Sequence, residues 1–286
     1  MPDLQNLKRV DLSDLHQPAQ IANRIHRALS QVEGAVPAVR IARALDISQV
    51  RLDKFDGFEG MLLTDRRRSD GVILANTCRG DRRARFTVAH ELGHFLMERH
   101  VPSDEAGFRC TAGDMQETRE MQRHFRQEKE ANRFAIELLA PGAAFKACAN
   151  LAPDLEHVRK LSTRLDLSKE ATARRYRELH EAQVAMVFHR NGLVRYVDRS
   201  DGFPPPSVKK DTTLPASVLT GVSSGSLSEL EIADPKDWFD GPPMAELSMQ
   251  TLYQKKGYGI TMLILEEDDP DDAGPENTYN RYSRFG

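Results

Sequence analysis

The sequence predicts an α+β protein: a helical domain built around a small sheet, then a helix-turn-helix-like segment, then a β-rich C-terminal domain. Three observations predict it. Apolar residues recur at helical spacing in several stretches, most clearly at Pro18–Leu29, Arg85–Met97 and Met115–Leu139. Short apolar runs such as Gly71–Asn76, GVILAN, and Gly259–Leu265, GITMLIL, read as strands. Asn191-Gly192 stands between two alternating segments, Val184–Arg190 and Leu193–Asp198, and is a strong hairpin signal.

The chain is organised around Arg85–Met97, RFTVAHELGHFLM, in which His90, Glu91 and His94 form an H-E-x-x-H pattern. Each helical residue turns about 100°, so two histidines four apart share a face, one turn apart, and can grip one metal ion. Glu91 lies one step round, where it can take a proton from a water at the open metal position. Val88, Leu92, Phe95 and Leu96 form the apolar stripe of a packed helix. Gly93 costs about 1 kcal/mol against alanine inside a helix, so it points to a second backbone passing close by.

A zinc hydrolase needs a third protein ligand and leaves the fourth position to water. The candidate lies in the next long helix, within EKEANRFAIELLAP at Glu128–Pro141. Glu128 shares a face with Ala131, Asn132 and Ala135, whose small side chains allow close approach to Gly93. Glu130 shares its face with Phe134 and Glu137 and reads as a solvated surface charge. Glu128 is therefore the expected ligand, with Pro141 ending the helix.

With both motifs in order, the chain resembles the ImmA/IrrE metallo-endopeptidases, with a looser match in FEGMLLTD and GVILAN. The resemblance implies a zincin-like, gluzincin-type fold of bacterial or phage origin, with His90, His94 and Glu128 on the metal and Glu91 as general base. It implies zinc, with manganese as an alternative, and a helix-turn-helix repressor as substrate, whose cleavage derepresses genes in a stress or mobile-element response. It also implies that Gly71–Asn76 lies at the sheet edge beside the metal, where an extended substrate can add itself as a strand. Ala140 departs from the methionine usual in the family, and the C-terminal extension lies beyond the motifs. The rival reading is a DNA- or partner-binding regulator that keeps the metal only for structure. A base beside the ligands argues against it.

Read in order, residues 1–17 form a polar leader, 18–152 the metallopeptidase domain, 153–182 the helix-turn-helix-like segment, 183–266 the β-rich domain and 267–286 an acidic tail of disordered composition. A short helix over Val39–Leu45 follows Pro37, and Val50–Thr64 reads as strand and turn. Arg66, Arg67 and Arg68 belong to a solvated hairpin loop, and Arg82, Arg83 and Arg85 to outer capping charges. His100–Phe125 is a rim or lid over the site, and His100 and His124 read as surface histidines, either able to bind an oxyanion.

Leu155–Leu165 and Lys169–Ala182 make the helix pair, with Ser168 as N-cap. Arg174, Arg175 and Arg177 sit where a DNA reader places its groove contacts, but Glu170, Glu178 and Glu181 dilute the charge, and DNA binding is not favoured. The 286 residues carry 40 Lys and Arg against 43 Asp and Glu, a net charge of −3, so there is no global field for nucleic acid or membrane. No apolar run reaches the roughly 18 residues of a membrane span, and MPDLQNLKRVDLSD lacks a secretory h-region, which points to the cytoplasm. Three cysteines without a C-x-x-C pair disfavour both disulfides and a thiolate zinc site; Cys110, in the connection between the motif helices, could approach and block the metal but reads as a bystander thiol.

Overall fold

Helix-spaced and alternating segments fold here into two compact units, one of residues 1–147 and 158–175, the other of residues 148–157 and 176–286. The computed structural model describes residue 4 and residues 7–29, 34–65, 67–101, 107–110, 119–219, 223–241 and 246–265. The acidic tail, Arg66 and the side chain of Cys110 lie outside the described residues. The architecture is α+β, with two small sheets among the described residues.

In the first unit Pro18 opens α1 (Pro18–Ala28), where its fixed φ suits the first helical position. Ile21, Ala22, Ile25 and Ala28 form the buried face. α2 (Ala38–Ala44) follows Pro37 and buries Ala38, Ile41 and Ala42. The strands are β1 (Ile47–Asp53), β2 (Gly60–Thr64), β3 (Gly71–Asn76) and, after α3 (Asp81–Leu96), β4 (Gly107–Cys110). Their order is β1-β3-β2-β4, with β1 parallel to β3 and the other pairs antiparallel. The expected edge position of GVILAN is therefore wrong. β3 is an interior strand, paired on both sides, and its nearly unbroken apolar run suits that burial. The edge beyond β2 belongs to β4.

α3 packs on α2, β2, β3 and α4 (Arg119–Leu139). Val88, Leu92, Phe95 and Leu96 are at most 2% exposed, so the stripe read from the sequence faces the core. A Cβ on Gly93 would stand 2.9 Å from Phe134 Cδ1 and 3.3 Å from Ala131 Cα, so the second backbone expected there is α4. Arg68 is not a solvated loop residue. It is 5% exposed, and its guanidinium donates to the carbonyls of Phe95 (3.3 Å), Met97 (2.6 Å) and His100. It thus meets acceptors that the end of α3 leaves without helical partners.

After the short α5 (Gly142–Phe145) come α6 (Leu155–Arg164) and α7 (Lys169–Leu179). Ser168 Oγ accepts from Ala171 N at 3.1 Å, as an N-cap does. Arg82 and Arg85 both pair with Asp166, at 2.8 and 2.7 Å, and Arg85 also donates to the carbonyls of Leu165 and Asp166. Those arginines tie down the turn between the two helices. Arg175 is 3% exposed and binds Glu137 Oε2 at 2.6 Å and the Ala140 carbonyl at 3.1 Å, which removes it from any groove-reading face.

The second unit holds β5 (Val184–Arg190), β6 (Leu193–Arg199), the short α8 (Ala216–Leu219), β7 (Glu231–Ile232), β8 (Leu247–Tyr253) and β9 (Tyr258–Leu265). Their antiparallel order is β6-β5-β9-β8-β7. Asn191 and Gly192, at φ 51° and 77°, make the tight turn between β5 and β6, both in the left-handed region such a turn demands. Trp238, Phe203, Leu247 and Leu263 centre the core. Arg177 pairs with Asp198 at 2.5 Å within this unit.

His189 lies in that sheet, 4% exposed, and burial pushes its pKa down to about 4. It is neutral when folded, whereas the unfolded chain protonates near 6.5. Stability is thus complete above pH 6.5 and is lost as pH falls from 6.5 toward 4, by roughly 2–3 kcal/mol from this residue. Urea midpoints between pH 7 and 4.5 should show the fall, and His189→Gln should flatten it; identical slopes in both proteins would refute the assignment.

Candidate metal centre

α3 and α4 cross where both carry small residues, and that close approach brings three side chains to one point. His90 and His94 project from α3 and Glu128 from α4. His90 Nε2 is 3.2 Å from His94 Nε2 and 3.2 Å from Glu128 Oε2, and His94 Nε2 is 3.1 Å from Glu128 Oε1. A tetrahedral ion with bonds of about 2.0–2.1 Å holds its ligand atoms about 3.3 Å apart. The three donors already stand at that spacing, so two imidazoles and one carboxylate fit a divalent ion.

The polar shell fixes which nitrogen each imidazole offers. His90 Nδ1 is 3.1 Å from Asn132 Oδ1, so an Nδ1 proton is bound there and Nε2 is left for a metal. His94 is 0% exposed, with Nδ1 3.0 Å from His100 Nδ1, and His100 Nε2 is 2.9 Å from Glu130 Oε2. One proton assignment satisfies this chain: His94 donates to His100, and His100 donates to Glu130. His94 Nε2 then carries a lone pair.

Two expectations are corrected here. His100 is a buried orienting group, 1% exposed, and Glu130 is its acceptor, further held by Arg99 Nη2 at 2.9 Å. Sequence reasoning missed the pair because the contact joins the segment after α3 to α4. The available signal was a second glutamate two residues from Glu128. Removing the relay should loosen the metal without deleting a donor. His100→Leu is expected to weaken zinc binding about 10–100-fold in a chelator competition, and an unchanged affinity would contradict the relay.

Electrostatics separate the two histidines. Burial brings His94 down to about 3, against the opposing pull of Glu128, so it is neutral at pH 7 as a ligand must be. Burial works against the charged form of His90 too, but the hydrogen bond to Glu128 and the charge of Glu91 raise it overall. Burial would raise Glu128, yet without an ion the imidazoles turn Nε2–H toward it instead, and those hydrogen bonds outweigh burial and hold the carboxyl well below the usual range; a bound ion takes the place of those protons.

Glu91 is 0% exposed beside this cluster. A Cβ on Gly60 would collide with Glu91 Oε1 and Thr87 Cγ2, so glycine lets β2 pass over the Glu91 carboxylate. His124, one turn before Glu128 on α4, is 54% exposed with Nδ1 4.0 Å from Glu128 Oε1. The thiols of Cys78, exposed, and Cys148, buried, take no part in the cluster. Among the described residues no helix is long and apolar enough to cross a membrane.

Comparison with known proteins follows the same lines. No curated protein matches the sequence significantly. Nine chains among solved structures match, including a Mycobacterium tuberculosis transcriptional regulator, 12% identical, with 90% of this chain and 79% of that chain covered at a TM-score of 0.51. At that identity the likeness is one of fold. The family model for the IrrE N-terminal-like domain, peptidase M78, matches residues 45–177, which contain both motifs and implies a metallopeptidase. That match supports the resemblance to the ImmA/IrrE peptidases carried by the two motifs.

Proposed function

We propose that this chain is a zinc-dependent endopeptidase of the cytoplasm that cleaves a helix-turn-helix transcriptional repressor and so derepresses its genes. The observation that carries the reading is the convergence of His90, His94 and Glu128 at ligand spacing with buried Glu91 next to them. Zinc bound there, or manganese, supplies Lewis acidity, which lowers the pKa of a water and polarises a carbonyl.

The chain's own groups do the rest. Glu91, low in solvent and roofed by β2 at Gly60, takes the proton of the attacking water and returns it to the leaving amine. His100, committed to His94 and Glu130, is not placed to meet substrate. His124 stands exposed beside Glu128 and donates an N–H to the oxyanion as the carbonyl becomes tetrahedral. His124→Ala is then expected to lower kcat about 10²–10³-fold with zinc content unchanged. A kcat within a few-fold of wild type in a single-turnover assay would remove the residue from the mechanism.

The substrate reading rests on the family resemblance and is tested with purified protein and a helix-turn-helix repressor of the same genome. Cleavage at one bond, abolished by chelator and restored by zinc, supports the proposal. A repressor left intact under all metal conditions refutes it. The regulator reading is not advanced, since Arg175 and Arg177 are engaged with Glu137 and Asp198.

A further inference from the structure

On the side of α4 that carries Glu130, the first unit has a cleft of about 470 Å³. It is lined by His16, Gln17 and Pro18 at the start of α1, by Arg99, and by Arg126, Lys129, Glu130 and Arg133 of α4. The four α4 residues follow the i, i+3, i+4, i+7 pattern and so share one face. Four cations meet one carboxylate there.

The acid is already used. Glu130 Oε2 accepts from both Arg99 and His100, and Arg133 pairs with Glu137 at 2.5 Å. Arg126 and Lys129 are exposed, have no carboxylate partner among the described residues, and Lys129 rests its ammonium over the Phe125 ring at 4.5 Å. The α1 wall adds to the same sign. Gln17 makes no side-chain cap and no acidic residue occupies the first turn, so the positive end of an 11-residue helix dipole is uncompensated beside the cations.

We propose that this cleft binds a multivalent oxyanion, the phosphate or polyphosphate group of a small molecule, between the start of α1 and the Arg126–Lys129 face of α4. The volume lies in the range of small-molecule sites, and the donors are guanidinium and ammonium groups, which recognise phosphate oxygens. The cleft shares Glu130 with the chain of hydrogen bonds to His94, and its cations lie between an occupant and that carboxylate. It stands independently of the peptidase reading.

The test is calorimetric titration of the full chain with pyrophosphate at constant ionic strength, in zinc-loaded and chelator-stripped protein. Binding is expected in both forms and should weaken by about tenfold or more in Arg126→Glu/Lys129→Glu, whose circular dichroism should match wild type. If the reversal unfolds the chain, Arg126→Gln/Lys129→Gln carries the same expectation at about threefold. The proposal is overturned by no binding, by equal affinity in the variants, by binding confined to the zinc-loaded form, which would place the anion on the metal, or by binding of an octaglutamate peptide alone.

Discussion

Glutamine in place of Glu91 should leave zinc bound and the fold intact while cleavage falls about 10²–10⁴-fold, the usual contribution of a general base. The amide matches the carboxylate in shape and cannot take the water's proton. Gly60 provides the space above it, since a Cβ there would collide with the Glu91 carboxylate. A neutral group in so buried a position costs less to desolvate than a charged one, so thermal stability should hold or rise. Single-turnover cleavage of the repressor, with zinc stoichiometry and melting measured on the same preparation, checks all three. Normal turnover by Glu91→Gln would remove the enzymatic reading.

Glu128→Ala acts at the other end of the chemistry. It deletes a donor, so zinc affinity should fall by more than the about 10–100-fold of an outer-shell partner, and activity with it. The loss also leaves His90 and His94 facing each other at 3.2 Å without the carboxylate between them. Competition with a chromophoric chelator measures the change. The two variants dissociate function from metal: one loses turnover alone, the other loses the ion and turnover together. If Glu128→Ala bound zinc as wild type does, the third ligand would have to be sought elsewhere.

Local pattern made the helices that carry His90, His94 and Glu128 legible. The H-E-x-x-H spacing, the small residues after Glu128, and Asn191-Gly192 each carry their meaning within a few residues of chain, and the structure places helix, helix and turn there. What stayed hidden depends on partners far away in sequence. Nothing beside Arg68 says that its guanidinium will close the end of α3, 27 to 32 residues later. His100 and Glu130 each read as surface groups until α4 is laid against the segment after α3. Strand order behaved alike: GVILAN shows its apolar run locally, but only its parallel pairing with β1 makes it interior. Arg175 looked like a groove contact until Glu137, on another helix, was seen to claim it.

The most direct measurement is anomalous diffraction at the zinc edge from crystals of the full chain, paired with metal content by mass spectrometry. The expected result is one ion per chain, bonded at about 2.0–2.1 Å to His90 Nε2, His94 Nε2 and a Glu128 oxygen. An anomalous peak on other residues, or wild-type zinc content in a His90→Ala/His94→Ala protein, would contradict it.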